Sequence, residues 1–562
     1  MTKLGKLVFT LVILGIAAFA VINWWPKVKP GAQPVPQSAT ASESGTGKVP
    51  DAASPAEPVD FLNVPDQVPQ LPSPQAYQVK DNTILIELSE YAGYAGLFVA
   101  NGGLAPNEDS FFFKNYGFKV EFKLSEEDSW ASLNRGEMAG SSTTVDVLAA
   151  YGRQMNVTVP AQICYSRGAD GIVVRSEIRR INDLKGKVLT AAPLNETEFF
   201  IRYLASEADM QVKRMSSIDE KPDPNSVNLL FCEDSFVGAD AFLADLIAGG
   251  NRIHGCVTWA PKTTEVVEAS EGKARQITDN RNLLIISDIL MFNKGFAAEH
   301  PEMVKGVVHG LIWGNDQVRS NPANYYQLIA DVFKDYEWTV EDAKSELEKV
   351  HLSNLPENLA FFSGQIDAAG SFEGIYQSST IAYGSKIVKN PAPASYFLDL
   401  KTLKELEASG EFASQSISIQ PIRSSARSPI EQDPLLSRNI RFLFEPNSTK
   451  LDMQQTINDE YLATVKKMLQ VSPGSMVLLR GHVDDSRVVE FRAQGGESLV
   501  KTMALKAMQM SKDRADEVKR LLIEKQAIAA ERIELIGRGW EEPLGKDAEQ
   551  NRRVEVQWFT VE

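Results

Sequence analysis

The chain is poor in the residues that most often announce chemistry. Its 562 residues include three cysteines and five histidines. Cys164, Cys232 and Cys256 show no C-x-x-C spacing, which excludes a zinc ribbon or a thioredoxin-like redox pair. An odd count leaves at least one thiol free. A Cys232–Cys256 bridge stays open in an oxidising compartment, with buried free thiols as the plainer alternative. His254, His300 and His309 have neither helix-face nor metal spacing. There is no G-x-S-x-G elbow and no phosphate-binding G-x-x-x-x-G-K-[ST] loop. Cations are also outnumbered, with 58 Lys and Arg against 74 Asp and Glu and a formal net charge of -16. Such a chain does not bind nucleic acid through its overall field. No catalytic residue, cofactor or metal is expected, and the chain reads as a binding protein rather than an enzyme.

The first apolar run lacks acids altogether. Residues 7–21 are apolar apart from Thr10 and Gly15, and residues 22–25 extend the run. Its length approaches the roughly 20 residues that a bilayer core requires. Lys3 and Lys6 precede it, which favours an internal N-terminus, and Trp24 and Trp25 close it as interfacial aromatics do. Residues 1–25 therefore read as a cytoplasmic tip and a transmembrane signal anchor. On this reading the protein is a single-pass protein of the cell inner membrane with its bulk in the periplasm. A cleaved signal peptide competes, because Ala18-Phe19-Ala20 has the A-x-A form. No cysteine follows, which argues against lipoprotein processing. The absence of an intramembrane carboxylate argues against a stator of an ion-driven motor.

Residues 26–80 are rich in Pro, Ala, Ser and Gly without periodicity and read as a disordered tether. From residue 81 to 405 the texture changes. Strand-like runs at 83–88, 119–123, 171–175, 186–191 and 283–287 alternate with helical stretches, which predicts an α/β fold with parallel sheets, and the length calls for two lobes. Residues 406–437 return to a polar linker, and the basic cluster in and just after it, Arg423, Arg427 and Arg438, lies along acidic domain surfaces, meets wall or lipid phosphates, or is simply solvated. Residues 438–562 form a last, α+β domain.

That last domain carries five ordered motifs. A strand from 440 to 444 leads into Glu445-Pro446-Asn447-Ser448. The run 476–479 ends at Gly481-His482-Val483-Asp484. Ser511-Lys512-Asp513-Arg514-Ala515 opens an amphipathic stretch, with Ala515, Val518, Leu521 and Leu522 at helical spacing. Gly537-Arg538-Gly539 and Asn551-Arg552-Arg553-Val554-Glu555 follow. Together these resemble the OmpA-like peptidoglycan-binding domain. The resemblance implies a ligand, the diaminopimelate residue of wall stem peptides, whose ammonium and carboxylate match one acid and one guanidinium. By position Asp484 takes the ammonium and Arg514 the carboxylate, while Asn551 and Arg552 line or brace the pocket. Val483 stands where the family has Thr and Ala507 where it has Asn, and residues 486–502 read as an insertion that caps or crowds the site.

The 81–405 region resembles periplasmic substrate-binding proteins of ABC transporters, of the nitrate, sulfonate and thiamine-precursor type. The resemblance rests on residues 91–103, 129–149, 166–174 (SRGADGIVV), 181–187 (INDLKGK), 245–261 and 296–304 (FAAEHPEMV). It implies a type II periplasmic-binding-protein fold closing on a small, unidentified solute. A small oxyanion, a sulfonate and a nitrogenous organic are all open. The hydroxyl-rich stretch 140–144, read as a helix start, offers Ser141 and Thr143. The stretch 193–198 offers Asn195 and Thr197. Tyr91 and Trp259 are candidate ligand platforms, Trp259 equally a core residue, and Asp170 and Arg167 read as an exposed pair at the lobe crossing. Glu196 and Glu198 argue against a strongly anionic ligand. The partners implied are peptidoglycan, the inner membrane, the solute, and an ABC permease or another envelope protein. A degenerate solute-binding fold serving as a structural tether, spacer or partner-binding module is the alternative.

Overall fold

Two buried sheets form where β-branched and aromatic residues dominate. In the computed structural model the described residues are 60–559, less 66, 126–128, 366–369, 390, 420–434, 446–447 and 473, with the side chain of 549 also set aside. The first sheet contains β1 (Thr83–Leu88), β2 (Lys119–Leu124), β3 (Gly140–Thr144), β4 (Val157–Ser166), β11 (Ser287–Asn293) and β12 (Val350–Leu352), in the order β12-β4-β11-β3-β1-β2. The second contains β5 (Asp170–Arg175), β6 (Val188–Ala191), β7 (Gln211–Arg214), β8 (Ser226–Phe231), β9 (Gly255–Trp259) and β10 (Ala274–Asp279), in the order β10-β5-β9-β6-β8-β7. Central strands β3, β4, β8 and β11 are buried along their whole length. Burial of both faces is what helices packed on either side of a sheet produce. The sheets are mixed rather than parallel, because the returning chain sets β11 antiparallel to β3 and β4, and β5 runs antiparallel to β9 and β10.

The chain passes between the sheets at 167–169 and returns at 280–286. Leu283 to Ile286 are almost fully buried in that return. The apolar run expected to be a strand at 283–287 is therefore mostly a buried crossover, and β11 starts only at Ser287. The stretch 140–144 is likewise a strand rather than a helix start. The helix Val145–Tyr151 follows it directly, with Thr144 at its N-cap and no side-chain capping bond.

The C-terminal domain has a third sheet of β13 (Leu436–Ile440), β14 (Met476–Gly481), β15 (Ile533–Gly537) and β16 (Val554–Phe559), in the order β13-β16-β14-β15. The helices Thr456–Val471 and Val488–Gln526 pack on it. The strand expected at 440–444 ends at Ile440, and Phe444 forms only an isolated bridge with Leu451.

The polar connectors are more ordered than their composition suggests. The anchor at 1–25 and residues 26–59 lie outside the described residues. Residues 60–80, the last part of the expected tether, instead run along both lobes. Leu62 N donates to Phe231 O (2.8 Å), Gln75 N to Asn134 O (2.7 Å), and Arg214 Nη1 to Pro65 O (2.8 Å). Val68 and Tyr77 are buried. In the second connector, Ser418 N donates to Glu357 Oε1 (3.0 Å) and Asn354 Nδ2 to Ser416 O (2.9 Å). Arg423 and Arg427 lie outside the described residues.

The C-terminal domain is docked on the second lobe. Ile181 N donates to Leu435 O (3.1 Å), while Asn182 accepts from Ser437 N (2.8 Å) and donates to Ser437 O (2.9 Å). Arg438 and Lys467 flank the buried carboxylate of Glu207 at 3.6 and 4.0 Å. Leu284 N, in the crossover, donates to Val471 O (2.9 Å). Among the described residues no helix is long and apolar enough to cross a membrane.

Candidate functional sites

Backbone contact builds the C-terminal site. A Cβ at Gly481 would meet Ser511 O at 2.0 Å, and one at Gly537 would meet Met508 O at 2.3 Å. The long helix therefore lies directly against the ends of β14 and β15, which only glycine permits. Ser511 Oγ donates to Met508 O (2.8 Å) and accepts from Gly539 N (3.0 Å). Val483 N donates to Gly539 O (2.8 Å) and His482 N to Arg553 O (2.9 Å). These bonds fix the segment carrying Asp484 beside the helix carrying Arg514.

Asp484 accepts from Ser486 N (3.2 Å) and from the Ser486 hydroxyl, and it faces Arg552 Nε at 3.4 Å. Its side chain is 20% exposed and that of Arg552 48%. The Arg514 guanidinium lies 4.8 Å over the Phe444 ring, and its Nη2 donates to Ser448 O at 3.4 Å. Arg514 Nε is buried with no hydrogen bond among the described residues. Burial lowers the Arg514 pKa, Arg552 lowers it further, and Asp484 opposes both. Asp484, Arg514 and Arg552 thus sit within one another's electrostatic reach.

Asn551 is turned elsewhere. It is buried, accepts from Leu544 N (2.8 Å) and donates to Gly545 O (2.9 Å), so it braces a loop. The insertion adds turns to the front of the helix, broken at Gly495 and Gly496, and its Phe491 stacks on Trp540 at 6.3 Å. Behind the site, Arg480 pairs with Glu542 (2.8 Å) and Glu555 (2.9 Å). Burial raises the Glu555 pKa, but His482 and Arg480 outweigh it and hold the carboxyl at about 2. His482, Glu542 and Glu555 bring possible metal-ligand atoms within 4.8 Å, the one such group among the described residues. Arg480 already supplies the positive charge there.

Between the first two sheets lies a cleft of about 170 Å³. Tyr91, Tyr94, Trp130 and Trp259 line it with the hydroxyls of Ser141 to Thr144. Tyr91 meets Tyr94 edge-on at 5.5 Å, and Trp259 packs against Phe236 at 5.1 Å. Ser141 Oγ donates to Ser142 O at 3.2 Å. Asn195, at the cleft wall, caps the helix Glu196–Glu207 by accepting from Thr197 N (3.1 Å). Thr197 is fully buried on Ala192 and Asn195 and is not among the lining residues.

The cleft's acids are a feature that local patterns do not announce. Glu87, Glu90, Asp170, Glu196 and Asp288 line it, and Asp146 is buried behind Thr144. Asp170 accepts from Ser166 Oγ (2.6 Å) and Asn280 Nδ2 (3.0 Å). It is buried and forms no exposed pair with Arg167, whose Nε donates instead to Arg281 O (3.0 Å). Asp288 accepts from Tyr94 Oη (3.0 Å) and Cys164 Sγ (3.6 Å). Asp146 accepts from Tyr383 Oη (3.2 Å). Burial pushes Asp146 and Asp288 up to about 7 and raises Asp170 and Glu196 as well, each acid adding to the next. No Lys, Arg or His lines the cleft among the described residues. All three thiols are free and buried, so the Cys232–Cys256 bridge is not formed.

Residues 443–557 match the OmpA family. No curated protein matches the chain. Among solved structures, the alkanesulfonate-binding protein SsuA from Xanthomonas axonopodis pv. citri bound to MOPS aligns at 12% identity, covering 57% of this chain and 99% of its own, with a TM-score of 0.41. The periplasmic aliphatic sulphonate binding protein SsuA from Escherichia coli aligns at 14% identity over 58% and 100%, with a TM-score of 0.42. The periplasmic nitrate-binding protein NrtA from Synechocystis PCC 6803 aligns at 12% identity over 60% and 90%, with a TM-score of 0.40.

Proposed function

We propose that this protein belongs to the cell envelope, grips peptidoglycan through its C-terminal domain and binds a small solute in the cleft between its α/β lobes. The reading is carried by one observation. In a domain of the OmpA family, an acid and two guanidinia gather at one partly open site. An amino acid presenting an ammonium beside a carboxylate, such as the diaminopimelate of a stem peptide, is complementary to that set. Asp484 takes the ammonium, and Arg514, its Nε unspent, takes the carboxylate by paired donation. Arg552, 3.4 Å from Asp484, turns to the ligand carboxylate when the ammonium arrives. Asn551 keeps the loop before Arg552 in place.

The remainder of the reading follows the sequence. The apolar run at 7–25 anchors the chain in the inner membrane, the bulk lies in the periplasm, and a permease or another envelope protein is the partner that receives or senses the solute. The role is binding, not catalysis. Sedimentation of the full chain with purified peptidoglycan tests the wall assignment. Asp484→Ala and Arg514→Ala are each expected to weaken retention about thirtyfold or more, the cost of leaving a partner charge unpaired, without changing the melting temperature. Undiminished retention by both variants sinks it.

A further inference from the structure

We propose that the cleft takes a small organic cation: a protonated amine or quaternary ammonium that also carries a hydrogen-bond acceptor. This rests on the solute-binding reading above and assigns the charge of the solute. The first observation is the sign of the lining. Five carboxylates from both lobes face one small cavity, with no cationic side chain among the described lining residues. Lys123 pairs with one of the five, Glu87 (2.9 Å), while Arg202 is committed away from the cleft to Glu198 (2.7 Å) and Arg281 to Asp279 (3.0 Å). The donors on Asp170 and Asp288 are a serine, an asparagine, a tyrosine and a thiol. Neutral donors of this kind leave the charge of a buried acid uncompensated.

The second observation is independent of charge. Trp130 is 8% exposed and lines the cleft, and its Nε1 donor is buried with no partner among the described residues. A buried donor without an acceptor is costly, so the occupant supplies one. Tyr91, Tyr94 and Trp259 add π faces, which attract ammonium groups. A bare metal ion fits less well. The cleft acids are not among the groups whose ligand atoms converge within 4.8 Å. The cleft is also smaller than the roughly 300–1,000 Å³ of sites for drug-sized ligands, so the cation has few heavy atoms.

Proton linkage follows from the same geometry. Asp288 faces Tyr94, Cys164, Asp146 and Asp170, while Glu196 faces Asp146, Asp170 and Asp288. Burial and mutual repulsion keep protons on these acids near neutrality. A cation displaces a proton, so affinity rises with pH; an anion requires protonated acids, so its affinity falls.

The full chain, purified and then denatured, is expected to release a stoichiometric organic cation, read by mass spectrometry. Calorimetry on dialysed full chain uses choline and ethanolamine as probes and nitrate and ethanesulfonate as counter-probes. Binding of an ammonium probe, or of the released cation, is expected to expel protons, seen as a buffer-dependent heat. Affinity rises about tenfold from pH 6 to pH 8 for each acid near 7 that must ionise. Asp288→Asn and Glu196→Gln each weaken binding tenfold or more, and melting temperatures no lower than that of wild type report that they fold. Release or binding of an anion, or proton uptake, overturns the charge assignment alone. A response only to calcium or zinc chloride overturns the organic class. No release and no response to any probe overturns the solute-binding reading itself and leaves the cleft a spacer.

Discussion

The cleft and the C-terminal site solve opposite electrostatic problems with overlapping residue types. In the cleft, carboxylates crowd together and neutral donors hold them, so burial raises their pKa values. In the C-terminal domain, Glu555 is also buried, yet Arg480 and His482 hold it at about 2. The difference lies in the partner, not in the depth. A buried acid beside a guanidinium is a finished structural element. A buried acid beside hydroxyls retains a charge deficit that an incoming cation can fill.

The contrast breaks most visibly at the helix–strand contact of the C-terminal domain. Gly481→Ala drives a methyl into the carbonyl of Ser511. It is expected to cost about 3 kcal/mol, at the upper end for overpacking, and to abolish peptidoglycan retention, read by urea unfolding and sedimentation. A smaller effect sharpens the comparison. Glu555→Gln removes an acid whose folded pKa lies below its ordinary value. Its stabilisation is present above about pH 4.5 and is lost as pH falls through about 2. The variant is therefore less stable at pH 7, by about 2 kcal/mol, and the difference closes in acid unfolding curves.

Asp288→Asn has the reverse sign. The folded carboxyl, at about 7 against an ordinary 3.8, holds a proton that the unfolded chain has released. Wild-type stability from this group therefore falls as pH rises from about 4 to 7. The variant escapes that loss, and its melting temperature at pH 8 is expected to exceed wild type by about 2–4 °C. The smallest effect is that of Arg514→Lys. It keeps the charge and loses the fork, so retention on the wall drops about tenfold with stability unchanged in a thermal melt.

Much of the frame was legible from periodicity. The runs at 83–88, 119–123 and 171–175 coincide closely with β1, β2 and β5, and the motif ends at Gly481 and Gly537 coincide with the ends of β14 and β15. The errors have physical causes. Leu283 to Ile286 are apolar because a crossover is buried, not because it pairs. Residues 140–144 read as a helix start because Ser and Thr favour helix N-caps, whereas here they line a cleft from the middle of a sheet. Thr197 carried a plausible pattern but serves the cap of its own helix. The cleft acids were the least legible. Asp146, Asp170, Glu196 and Asp288 are far apart in the chain, and only the two crossings bring them together. Among them Glu196 gave a local hint, since with Glu198 it argued against a strongly anionic ligand.

The docking of the third sheet bears on how the molecule can be taken apart. A fragment stopped at residue 405 would leave the Ile181 and Leu284 amides without the acceptors that Leu435 and Val471 provide. Glu207, stripped of Arg438 and Lys467, would become a stranded anion on newly bared surface. The two-lobed half is thus not a free-standing module with a passenger behind it, and cutting at the apparent seam creates a wound rather than a terminus.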